Sequence, residues 1–124
     1  QDGVDFVIES LLAMQGGEVF VPKIPSMKIT DLASALAPDL PQKIVGIRPG
    51  EKLHEVLVSQ EDAAMTVETE RKFILMPTFH FWDAGLKPTQ DGNLVAPDFS
   101  YTSDNNKLWL SGLQLQQTIK RLFP

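Results

Sequence analysis

The chain has 124 residues, 43% of them hydrophobic and 22% charged, an ordinary balance for a globular domain with room for a core. Eleven Lys and Arg against sixteen Asp and Glu leave a formal charge of −5, so no basic field is available for a nucleic-acid backbone, and no nucleic-acid partner is expected. Cysteine is absent, which excludes disulfides, thiolate metal sites and cysteine nucleophiles and agrees with an expected cytoplasmic location. No apolar run reaches the ~18–20 residues of a membrane helix, and no basic, then apolar, leader pattern opens the chain, so no membrane partner is expected. Gln1 stands where an initiator methionine would be, with a helical pattern starting almost at once, as in a piece of something longer.

Asp2 reads as an N-cap, with Asp5 in the first turn, and Val4, Val7, Ile8, Leu11 and Met14 recur at helical spacing until Gly16-Gly17 stops the helix. Glu18 to Val21 is a short β-type run closed by Pro22 and Pro25. Ile29, Leu32, Ala33 and Leu36 predict a second helix that Pro38 ends. Lys43 to Ile47 is β-branched and predicts a strand, Arg48-Pro49-Gly50 a turn, and Lys52 to Val58 a third helix. Met65, Val67 and Thr69 alternate with polar residues, as in a half-exposed strand, and Phe73 to Met76 reads as a buried one. Pro77 to Asn106 is rich in turn formers, with Asp91-Gly92 a candidate hairpin turn. Ser111 and Gln114 form a capping box for a last helix, whose stripe is Leu115, Ile119 and Leu122, with Leu110 and Leu115 placed as a hydrophobic staple.

The chemistry is sparse. Neither a G-x-G-x-x-G nor a Walker-type phosphate loop is present, His54 and His80 stand far apart, and no pair of carboxylates is singled out. The segment Gly46 to Glu55 is the exception. Arg48 leaves a predicted strand end, where α/β proteins bind ligands, and a guanidinium can grip a diphosphate with two parallel bonds. Glu51, three residues on, can accept bonds from ribose hydroxyls. The plainer reading is that Arg48 caps a helix C-terminus or pairs on the surface, while Glu51 favours the N-terminus of the third helix. In Phe20 to Ile29, two prolines stiffen a loop from which Lys23 could reach a phosphate and Met27 a base; a solvated lysine and a packed methionine are the plainer alternative.

Phe20 to Ala33 (FVPKIPSMKITDLA), Gly46 to Glu55 (GIRPGEKLHE) and Tyr101 to Ser111 (YTSDNNKLWLS) resemble the C-terminal part of the inverting UDP-N-acetylglucosamine 4,6-dehydratases, extended short-chain dehydrogenase/reductase enzymes of pseudaminic acid synthesis. The opening Gln1 to Val7 looks like the family's helix entering this region. The resemblance implies an α/β fold: a single substrate-binding domain over residues 1–124, with three or four helices and a small mixed sheet, the Rossmann half being absent. It implies a UDP-sugar as partner, Arg48 on the diphosphate, Glu51 on the ribose, and Lys23 and Met27 lining the same side. The family's NADP, its acid/base group and its Tyr-x-x-x-Lys pair belong to the Rossmann half. Here Tyr101 is followed four residues later by Asn105, so no catalytic or cofactor-binding residue is expected in this chain, nor any turnover. A UDP-sugar epimerase or retaining dehydratase of the same superfamily, or a free-standing binding module, are the alternatives. Apolar residues crowding the first helix (Val4, Phe6, Val7, Ile8), with Phe79, Phe81 and Trp82, predict self-association.

Overall fold

The computed structural model describes residues 2–78 and 92–122. The chain divides into two compact units, Gln1–Lys23 with Val56–Tyr101, and Ile24–Glu55 with Thr102–Pro124.

The first unit opens with α1 (Asp2–Ala13). Asp2 lies inside its first turn with Asp5, where negative charge suits the helix dipole. Beyond it come β1 (Val19–Pro22), β2 (Val56–Val58), a 3₁₀ turn at Ala63–Met65, β3 (Thr66–Glu68), β4 (Lys72–Leu75), β5 (Asn93–Leu94) and β6 (Tyr101–Thr102), whose second residue is counted with the other unit. The main sheet has the order β1-β4-β3-β5, and β2 pairs with β6. Val21 stands opposite Phe73, and Val67 opposite Ile74. Pro22 is tolerated because β1 is an edge strand. Val21, Val58, Phe73 and Tyr101 form the core, flanked by Leu75, Val95 and Phe99. The Phe73 ring lies 4.9 Å from that of Tyr101 and 5.1 Å from that of Phe99, both tilted. Each such burial contributes about 1.5–3 kcal/mol. At the far side of β3, Gly92 passes so close that a Cβ would strike Val67 and stand 2.8 Å from the Glu68 carbonyl oxygen. Asp91, and with it the candidate hairpin turn, lies outside the described residues, as do His80, Phe79, Phe81 and Trp82.

The second unit packs α2 (Ile29–Leu36) against α3 (Gly112–Leu122). The expected capping box is formed: Gln114 Oε1 accepts from the Ser111 amide at 2.8 Å, and the Gln114 amide points back to Ser111 Oγ at 3.4 Å. Leu115 is buried, whereas Leu122 is exposed, so the predicted stripe is used at its start.

Three expectations are corrected. Lys43 to Ile47 forms no strand: Gly46 takes a φ of +83°, which breaks an extended run, and Ile44 and Val45 stand exposed. Lys52 to Val58 is not helical. Ser103 Oγ accepts from the Glu55 amide and the Ser103 amide donates to the Glu55 carbonyl, bonds that a helix would need for itself, and Val56–Val58 continues as β2. The four-stranded sheet is antiparallel throughout, not mixed; a parallel pairing occurs as the isolated bridge between Ser26 and Trp109.

Candidate functional site

Arg48-Pro49-Gly50-Glu51 is a closed turn. The Glu51 amide donates to the Arg48 carbonyl at 3.1 Å, and Gly50 takes a φ of +87°, the left-handed conformation that a Pro-Gly turn requires at its second central position. The Glu51 carboxylate folds back over the turn. Its Oε2 accepts from the Arg48 amide at 2.8 Å and its Oε1 from Arg48 Nε at 2.9 Å. Among the described residues Nη1 and Nη2 of Arg48 have no partner, and the side chain is 86% exposed. The turn therefore offers water a guanidinium edge with four N–H groups unspent, a geometry suited to phosphate oxygens.

The proline loop of the second unit is pinned by a residue that the sequence did not single out. Asn106 is buried, and its Nδ2 donates to the Ile24 carbonyl at 2.7 Å and to Ser26 Oγ at 3.1 Å. Its Oδ1 accepts from the Leu108 amide at 3.0 Å, and its own carbonyl accepts from Trp109 Nε1 at 2.7 Å. Ser26 completes the join with backbone bonds to Leu108 and Leu110. Met27 follows directly, 39% exposed. The signal was the second Asn of the DNNKLW stretch, and its meaning rests on a partner some eighty positions away, which periodicity cannot show.

Lys23 belongs to the first unit and is engaged there. Its ammonium donates to Glu68 Oε1 at 2.7 Å and to the Thr69 carbonyl at 2.6 Å, and lies 4.9 Å from the centre of the Phe73 ring. Arg48, Glu51 and Met27 belong to the second. Near the end of the GEKLHE stretch, the Asp104 carboxylate accepts from the Thr102 hydroxyl. That bond, with the amides of Asp104 and Asn105 and the charge of His54, outweighs desolvation and holds its pKa below the usual carboxylate range.

The described residues do not fit a dinucleotide. Pro22 ends β1 and Pro25 lies in its connection to α2, residues 23–28, which holds no glycine, and neither does the connection from β6 to α3, residues 103–111. Among the described residues no cluster of three or more His, Asp or Glu could hold a metal ion, and no helix is long and apolar enough to cross a membrane.

The family model described as polysaccharide biosynthesis protein matches residues 1–77, and the chain belongs to that family. Among its relatives, the inverting UDP-N-acetylglucosamine 4,6-dehydratase of Campylobacter jejuni serotype O:2 is 48% identical over an alignment 124 residues long that covers 96% of this chain and 37% of that protein. The enzyme of the same name from serotype O:23/36 is 46% identical over the same shares. An uncharacterized membrane protein of Methanocaldococcus jannaschii is 37% identical over 87 residues, covering 61% of this chain and 26% of its own length. The chain thus spans just over a third of the length of the dehydratases it matches. The X-ray structure of Pen from Bacillus thuringiensis shares the fold, with a TM-score of 0.78 over 98% of this chain and 36% of that one, at 21% identity.

Proposed function

We propose that this chain is the substrate-side portion of a C5-inverting UDP-N-acetylglucosamine 4,6-dehydratase of nucleotide-sugar and surface-glycan synthesis, and that it binds the UDP part of the sugar nucleotide. The observation that carries the reading is the Arg48 turn, a guanidinium fork fixed on a Pro-Gly bend and left free on its outer edge. The 48% identity to a dehydratase of that specificity supports it. In this reading Arg48 grips the diphosphate, and Met27, on the loop that Asn106 pins, packs against the base. Lys23, already neutralised by Glu68, anchors the end of β1 rather than reaching a phosphate. NADP and the acid/base groups belong to a Rossmann half, and this chain alone forms no 4-keto sugar when given UDP-N-acetylglucosamine and NADP.

Calorimetric titration with UDP tests the binding claim. Arg48→Ala is expected to weaken binding by about 1.5–3 kcal/mol, the worth of a lost charge-assisted contact. Arg48→Lys should restore only part of it, because an ammonium cannot present the fork. Equal affinity in wild type and Arg48→Ala dismisses the assignment, and a 4-keto product from the isolated chain dismisses the division of labour.

A further inference from the structure

We draw no further inference here: the strongest candidate, the exposed apolar stripe of α1 formed by Val4, Val7, Ile8 and Leu11, carries none, because nothing in the structure shows what covers it.

Discussion

Glu18 is a buried carboxylate at the turn that follows α1, and its two oxygens accept from the amides of Gln15 at 2.9 Å and Gly16 at 2.6 Å. Burial pushes its pKa up, but these amides and its own outweigh burial and hold it below the ordinary carboxylate range. A folded value below the unfolded one stabilises the protein above the unfolded pKa, and that contribution is lost as pH falls through the folded value. Glu18→Gln is therefore expected to cost about 1–3 kcal/mol at neutral pH, measured by urea unfolding, with the gap to wild type closing in acid. A gap that persists undiminished in acid would show that shape, not charge, holds the turn. Residues of this kind were only half legible. The bend at Arg48-Pro49-Gly50 follows from residue types alone, because proline sets one central dihedral and glycine permits the other. The pinning by Asn106 and the capture of Lys23 by Glu68 depend on pairs 80 and 45 positions apart, and no local pattern announces them.

The three helices that form among the described residues were legible, since each carries its own period and punctuation, whereas the short pattern at Lys52 to Val58 lacked both and formed no helix. The Ser111–Gln114 box is the clearest case, and it supplies a direct test. Ser111→Ala removes the acceptor for the Gln114 amide and should cost about 1 kcal/mol, seen as a lower thermal midpoint with the fold unchanged. An unaltered midpoint would mean that the packing of Leu115 alone holds the start of α3. Strands were legible where burial imposed them, as at Phe73 and Ile74 in β4. At β3 the alternation misled, because Thr66 is buried beside Val67. Its hydroxyl finds the Asp62 carbonyl at 2.7 Å, and a polar side chain with a satisfied hydroxyl can sit in a core. The run before Arg48 misled in the opposite sense: composition favoured a strand, but a strand also needs a partner edge and an unbroken backbone.

At the scale of the molecule, the composition described a globular chain, yet much of its apolar surface is exposed among the described residues. Val4, Val7, Ile8, Leu11 and Leu12 of α1 are each at least half exposed, as are Ile44, Val45 and Leu53 of the second unit. Patches beyond a few hundred Å² are uncommon on isolated soluble domains. The 124-residue chain is therefore expected to self-associate, with the net charge of −5 opposing it. Light scattering over a concentration series should show mass rising with concentration, and more steeply in added salt, which screens that repulsion. A monomer at every concentration, with no binding of an apolar dye, would overturn this. Periodicity marked Val4, Val7, Ile8 and Leu11 as one stripe, but the buried residue of α1 is Ser10, so the amphipathic pattern reported a face and not its occupant.

The unpaired run Ile44 to Ile47 has a consequence for the unfolding and storage of this chain. Ile-Val and Ile, low in charge and exposed, are the composition from which cross-β fibrils grow. The backbone that denies the run a ladder also protects it. Gly46 at φ +83° kinks it, Pro41 and Pro49 bracket it, and Lys43 and Arg48 put a charge at each end. These residues act as gatekeepers, since stacked copies would have to align the kink and bring like charges together. Replacing Gly46 by valine would press the run towards a flat, extended edge. Fibrils that form sooner in Gly46→Val than in wild type, followed by thioflavin fluorescence on gentle warming, are the outcome this geometry implies.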